Sequence, residues 1–248
     1  MKFISNLKKK INKEYHPDFP KINGKWYQNI ISEIEDNINP EWYIEIGSRS
    51  GNSLKRRKCN FIAIDPDFNI QEKVMNESKK FLFFQQTSDE FFSEGFLQAN
   101  NIKPKLAFID GMHLFEYAMR DFINLQAAMP RDGVICIHDV CPFNYEMTTR
   151  DDSYLEYQRP WTGDVCKIVL ALKQYQPTLS IMTLDASPTG LAVITGLSSD
   201  NRDLSKKYDE IVSHFKDMSL QELGASTYYD MIQMVKCDQF KSDMIFRK

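Results

Sequence analysis

The sequence predicts a doubly wound α/β fold: a mostly parallel sheet with helices on both faces and a C-terminal antiparallel hairpin. Three observations carry this. Short apolar, β-prone runs alternate five times with helical segments, the pattern of a parallel sheet covered on both sides. Two later runs, 179–184 and 191–194, flank Ser187-Pro188-Thr189-Gly190, a turn composition that makes them a hairpin. Three of the parallel runs end in chemistry-bearing residues: Asp65, Asp110, and His138 with Asp139. Ligands of such sheets lie at the carboxyl ends of the strands, so these four are expected to converge on one crevice.

Each element has a local reason. Pro17 and Pro20 break the first stretch, and Ile30, Ile31, Ile34 and Ile38 recur at helical spacing, which predicts a helix over 26–38. Trp42-Tyr43-Ile44-Glu45-Ile46 predicts a strand over 41–46, Gly47 to Gly51 a turn, and 51–58 a short helix. Phe61-Ile62-Ala63-Ile64 is the second strand, ending in Asp65, and helical propensity returns over 69–79. Phe81-Leu82-Phe83-Phe84 reads as a buried strand, and Thr87-Ser88-Asp89 as the cap of a helix through 97. Leu106 to Ile109 is a strand ending in Asp110-Gly111, followed by an amphipathic helix over 114–128 and a turn at Pro130 and Gly133. Val134 to Ile137 leads into His138-Asp139. Residues 141–161 are polar and aromatic without a period and read as a loop, and 165–174 as a helix. Two helical segments close the chain, and no internal repeat is present. The pattern divides the chain into an N-terminal helical segment (1–40), a main domain (41–197) and a C-terminal helical extension (198–248).

The 248 residues suit one α/β domain with decorations, and 42% hydrophobic residues can fill a sizeable core. A net charge of −3 argues against nucleic acid as an obligatory partner. Five cysteines without a C-x-x-C pair suggest free thiols in a reducing, cytoplasmic setting rather than a zinc or redox motif. Residues 1–10 are basic but lack the apolar region of a signal peptide, and read as a solvated terminus. No apolar stretch is long enough for stable membrane insertion. Association with further copies of the chain is left open.

The site-forming residues are read from chemistry and position. Gly47 and Gly51, spaced G-x-x-x-G after Glu45, let backbone approach a ligand without an intervening Cβ. Asp65 can accept hydrogen bonds from a ribose diol, or cap the segment that Pro66 begins. The spacing is not the dinucleotide G-x-G-x-x-G. Asp110 at a buried strand end needs a partner: a cofactor ammonium group, a metal, or the following turn. His113 and His138 suit a general base, while His16 and His214 lie outside the motif region. Asp139 can orient a histidine or take a metal, and Asp110 with Asp139 alone would be a thin magnesium shell. Lys55-Arg56-Arg57-Lys58 reads as a solvated face, with steering of an anionic sugar as the alternative. Tyr145, Tyr154, Tyr157 and Trp161 either stack on a sugar and close a lid or pack the loop on the core.

Taken together, Glu45-Ile46-Gly47-x-x-x-Gly51 and Asp65 resemble the first glycine motif and ribose acid of the class I methyltransferases, Rossmann-like enzymes that use S-adenosylmethionine. Phe108-Ile109-Asp110-Gly111-Met112-His113, continuing through Arg120-Asp121 to Pro130-Arg131-Asp132-Gly133-Val134-Ile135 and His138-Asp139, is similar to one branch, the small-molecule and sugar O-methyltransferases with FIDGxH and HD motifs. The likeness spans about 41–140, and Gly163-Asp164-Val165 extends it. Arg131-Asp132-Gly133 stands where that branch commonly has a double glycine, and His138 where metal-dependent relatives carry the first of two acids. The resemblance implies S-adenosylmethionine held by Glu45, Gly47, Ser48, Gly51, Asp65, Ser88, Asp89 and Asp110, with Ser88 and Asp89 at the adenine. It implies His113, His138 and Asp139 in catalysis, a divalent metal such as Mg at Asp110 and Asp139 as an option, and a saccharide or other small hydroxylated acceptor. The alternatives are an NAD(P)-dependent oxidoreductase on the same sheet order, or a non-catalytic cofactor-binding or scaffold protein.

Overall fold

A computed structural model describes residues 15–70, 73–74, 79–152, 160–242 and 245. It contains a seven-stranded sheet in the order β3-β2-β1-β4-β5-β7-β6. The strands are β1 (Trp42–Ile46), β2 (Asn60–Ile64), β3 (Phe81–Phe84), β4 (Leu106–Ile109), β5 (Val134–His138), β6 (Ser180–Leu184) and β7 (Leu191–Thr195). The first five are parallel. Strand β7 pairs antiparallel with β5 and with β6, so the hairpin closes one edge as expected.

Period-two alternation sends side chains to opposite faces. Trp42, Ile44 and Ile46 face one core and Tyr43 the other. Helix α1 (Tyr27–Ile38) buries Ile30, Ile31 and Ile34 on the Tyr43 face. Helices α4 (Phe115–Ala128) and α5 (Lys167–Tyr175) cover the opposite face through Met119, Phe122, Ile168 and Leu172. Four short helices close the chain on that face: α6 (Asp203–Lys206), α7 (Tyr208–Lys216), α8 (Leu220–Leu223) and α9 (Ala225–Ile232). No helix among the described residues is long and apolar enough to cross a membrane.

Five expectations are corrected. The helix of 51–58 is a single 3-10 turn, Leu54–Arg56, because Arg57 turns inward. Strand β3 is half-buried rather than buried, since it is the sheet edge. The helix of 87–97 breaks at Gly95, whose φ of +66° ends α2 (Ser88–Ser93) before α3 (Phe96–Ala99). Thr87 caps α2 through a capping box with Glu90. Of the 69–79 helix, the described residues are not helical and the remainder lies outside them. The basic run is not one solvated face: Lys58 pairs with exposed Asp36, whereas Arg57 is buried against Glu35. Residues 1–10, Tyr154 and Tyr157 lie outside the described residues.

Candidate functional site

The parallel strands bring Asp65, Asp110, His138 and Asp139 to the same end of the sheet. At β1 the chain turns sharply. Gly47 has φ +89°, and a Cβ there would lie 2.0 Å from the Asp110 carbonyl oxygen, so glycine lets the β1 and β4 turns touch. The Asp65 carboxylate ties this turn to β2. Its Oδ2 accepts the Arg49 N–H and its Oδ1 the Asp67 N–H, both at 2.8 Å. Each oxygen keeps a further lone pair for a ribose hydroxyl. Ser48 is buried, and its hydroxyl has no partner among the described residues. Glu45 sits beneath the turn and accepts from Tyr43 Oη and Ser53 Oγ, each at 2.5 Å. Burial pushes its carboxyl up to about 7, against the pull of those two hydroxyls. Glu45 therefore braces the glycine turn from below. On the far side, Asn69 N–H donates to the Arg49 carbonyl, and a Cβ on Gly51 would come within 2.8 Å of Val74 Cγ1.

The ends of β4 and β5 carry a denser cluster. His138 Nδ1 lies 3.1 Å from Asp110 Oδ1 and 3.4 Å from Asp139 Oδ1. His113 Nδ1 lies 3.2 Å from Asp139 Oδ2, and its Nε2 3.5 Å from Asp110 Oδ1. Both His113 (φ +56°) and Asp139 (φ +61°) adopt left-handed backbone, strain that the packing around them must hold. Burial opposes charge here, yet the two histidines hold Asp110 well below the usual carboxylate range. Burial likewise opposes a proton on His113, but the Asp139 charge and the Asp110 hydrogen bond raise it to about 9. His138 is raised too, chiefly by the Asp139 and Asp110 charges acting against its burial.

Hydrogen-bond directions separate the two rings. Thr189 Oγ1 donates to Asp139 Oδ1 at 2.5 Å, so it accepts from His138 Nε2 at 3.2 Å. His138 Nδ1 faces only carboxylate oxygens. Both nitrogens of His138 thus act as donors, and the ring is an imidazolium. His113 Nδ1 donates to the Trp161 carbonyl at 3.3 Å and toward Asp139, while its Nε2 faces Asp110 Oδ1 at 3.5 Å, the longest of these contacts, so Nε2 is the nitrogen whose proton is held most weakly.

Several of these neighbours escape a reading of the sequence. Thr189 comes from the hairpin turn. The signal was topological: an antiparallel β7 beside β5 pairs Leu191 with His138 and brings that turn to the site. Tyr27, on α1, lays its ring 4.1 Å from that of His138. Gly163 has φ +53°, and a Cβ there would lie 1.8 Å from the His113 carbonyl oxygen, so only glycine lets this turn press on His113. Asp164 accepts the Phe115 N–H at 2.8 Å and fixes the start of α4 behind His113. Among the loop aromatics, Trp161 stacks on His113 with centroids 5.3 Å apart, whereas Tyr145 packs on Phe19.

Ser88 and Asp89 open α2 farther out. Asp89 is held by the Arg120 fork, with Nε–Oδ1 2.9 Å and Nη2–Oδ2 2.7 Å. Asp121 on α4 lies close to Ser88, and burial pushes its carboxyl up to about 7 against the Ser88 hydroxyl, which pulls it down. A carboxyl whose folded pKa lies above its unfolded value costs stability as pH rises from near 4 through about 7. Asp121→Asn is therefore expected to melt above wild type at about pH 8 and to lose that advantage near pH 4. A variant less stable at both pH values, in calorimetry, would refute this.

Asp110, His113 and Asp139 each offer one ligand atom, and these lie within 4.8 Å of one another. Two carboxylates and an imidazole form a mixed oxygen and nitrogen donor set, which suits Mn, Fe or Zn better than the oxygen-loving Mg.

No family model matches the chain, and no curated relative matches it by sequence. Solved structures do resemble it. Cofactor-bound Rv0187 from MTB is 12% identical, with a TM-score of 0.51 over 72% of this chain and 83% of that one. The SAH-bound methyltransferase PaMTH1 of Podospora anserina is 14% identical, with a TM-score of 0.46 over 69% and 78%. The O-methyltransferase of Bacillus cereus in complex with SAH is 12% identical, with a TM-score of 0.47 over 68% and 79%. At these identities the likeness to Rv0187 is one of fold, the doubly wound sheet described above.

Proposed function

We propose that the chain is an S-adenosylmethionine-dependent methyltransferase acting on a hydroxyl of a small, sugar-like acceptor. The observation that carries the reading is the Asp110–His113–His138–Asp139 cluster set directly against the Gly47 turn, with Gly47 and the Asp110 carbonyl in contact range. The buried, unpartnered Ser48 hydroxyl and the two glycines with positive φ fit a nucleoside-bearing ligand at that turn. When bound, the cofactor supplies a methyl group on a sulfonium centre. The chain's part is to hold the acceptor oxygen in line with that methyl and to take its proton. Among the two histidines, His113 is the base, through Nε2, because both His138 nitrogens are spent as donors. His138 and Thr189 then fix the Asp139 carboxylate that faces His113. In a metal-assisted version Asp110, His113 and Asp139 would hold the ion, which would acidify the acceptor hydroxyl.

The experiment is a thermal-shift panel with S-adenosylmethionine, S-adenosylhomocysteine, NAD and NADP. S-adenosylhomocysteine is expected to stabilise the protein by about 2.7 kcal/mol at a hundredfold excess over its dissociation constant. A shift with NAD or NADP alone would favour the oxidoreductase reading. A shift with S-adenosylhomocysteine but no methyl transfer to any acceptor would favour a non-catalytic cofactor-binding protein, and no shift with any of the four would remove the cofactor reading.

A further inference from the structure

A cavity of about 400 Å³ opens beside Asp164 and is lined by none of Asp110, His113, His138 and Asp139. Its walls come from the loop after β5, the start of α5 and the connection between α7 and α8. The volume is in the range of small-molecule sites. Each wall brings one cation: Arg150, Lys167 and Lys216. Two acids, Glu116 and Asp164, face them. Arg150 spends Nη1 and Nη2 on Glu116, at 3.0 and 2.6 Å, and Nη1 also on Asp164 at 2.6 Å. Lys167 donates to Asp164 at 2.9 Å and to the Lys216 carbonyl at 2.8 Å, which covers the negative end of α7. Lys216 is left over. Its side chain is 48% exposed, and its ammonium lies 3.7 Å from Glu116, beyond hydrogen-bond distance. The Lys216 ammonium, the Ser219 hydroxyl and the Gln221 amide make no hydrogen bond among the described residues. Asp217 stands exposed on the same wall.

A cleft walled by cations, with unspent donors among them, suits an anion. A carboxylate presents its oxygens in one plane. A phosphate presents three strong acceptor oxygens in different directions, so it can meet several walls at once. The cavity is larger than a phosphate group, and Gln221 and Asp217 are there to bond hydroxyls. We propose that this cavity is a second ligand site, which holds the phosphate of a small phosphorylated polyol against Lys216 and Ser219, with its hydroxyls at Gln221 and Asp217, and that its occupancy is felt at His113 through Trp161. The link is short. The Trp161 indole N–H donates to the Thr149 carbonyl at 2.7 Å, next to Arg150 on the cavity wall, and the same ring stacks on His113. A second link runs from Arg150 to Asp164 and on to the Phe115 N–H, just after His113. The site stands whatever cofactor the glycine turn takes.

Calorimetric titration with glucose 6-phosphate, inorganic phosphate and glucose tests it. Glucose 6-phosphate is expected to bind more tightly than inorganic phosphate, and glucose not to bind. Lys216→Gln is expected to weaken glucose 6-phosphate about 10- to 100-fold, the range of a hydrogen bond to a charged group, and Ser219→Ala about 2- to 10-fold. Lys58→Gln, which removes an exposed lysine at the other end of the sheet, should leave binding unchanged. Trp161 emission should shift as wild type is titrated, and Trp161→Phe should bind without that shift. No binding of either phosphate, or binding unchanged in both Lys216→Gln and Ser219→Ala, would overturn the site. Binding weakened by His113→Ala and not by Lys216→Gln would place the sugar in the cleft as an acceptor and overturn it too. Inorganic phosphate bound as tightly as its ester would remove the polyol, and glucose bound as tightly would remove the phosphate. Binding without a change in Trp161 emission would overturn the link to His113.

Discussion

Alanine at His113 is expected to lower methyl transfer about 100- to 10,000-fold, the usual range for losing a general base, while leaving cofactor affinity nearly unchanged. The charge pattern of the cluster adds a pH signature. His113 is raised to about 9, so at neutral pH it carries a proton and cannot act as a base. In the metal-free protein, turnover is therefore expected to climb about tenfold per pH unit from neutrality and to level near pH 9. A divalent ion at Asp110, His113 and Asp139 would take the place of that proton, so metal-dependent turnover would level at lower pH. In that version chelation abolishes activity, divalent ions restore it, and Asp139→Ala is the most damaging change. His138→Ala acts through position, by freeing Thr189 and Asp139, and is expected to cost less than His113→Ala. Full activity in both histidine variants together with chelator resistance would leave positioning alone as the source of catalysis.

The sheet was legible because its signal is local. Each parallel strand is a short apolar run between turn residues, and each terminal acid or histidine is adjacent in sequence to the run that positions it. Asp65, Asp110, His138 and Asp139 needed only the rule that parallel strands share an end. Thr189, Tyr27 and Gly163 needed contacts between elements far apart in the chain. Thr189 reaches Asp139 across 50 positions. Gly163 is legible in the sequence only as part of the Gly163-Asp164-Val165 likeness, and what it does waits until the His113 carbonyl is seen against it. Asp89 and Asp121 show the same limit from the other side: both are acids at plausible sequence positions, and only burial separates a surface ion pair from an inward-facing carboxyl. Arg57 was misread because a run of four basic residues suggests a solvated face, and nothing in that run marks the single member that turns inward.

Leucine at Glu35 is expected to cost about 3–5 kcal/mol of stability, the penalty for stranding one member of a buried ion pair. Arg57 is fully buried in its side chain and Glu35 is 3% exposed, with Arg57 Nη1 and Glu35 Oε2 3.1 Å apart. Glu35 Oε1 also accepts the backbone N–H groups of Lys58 at 2.6 Å and Cys59 at 3.1 Å. Glu35→Leu therefore leaves a buried guanidinium and two unpaired amides. Arg57→Met strands the Glu35 carboxylate but is expected to cost less, because that carboxylate keeps both amide bonds and, besides the pair, only the Arg57 bonds to Ser32 Oγ and the Ser53 carbonyl are lost. The double variant should be more stable than the sum of the two losses, since neither charge is then stranded. Urea unfolding gives all three values. The pair also matters to the glycine turn. Arg57 lies 5.1 Å from the centre of the Tyr43 ring, and its charge draws the Glu45 carboxyl downward against burial. Arg57→Met should then raise Glu45 further and loosen the brace under Gly47, which a weakened affinity for S-adenosylhomocysteine would register. A Glu35→Leu cost below about 1 kcal/mol, the range of an exposed pair, would show that the pair is open to solvent and that α1 is not anchored through it.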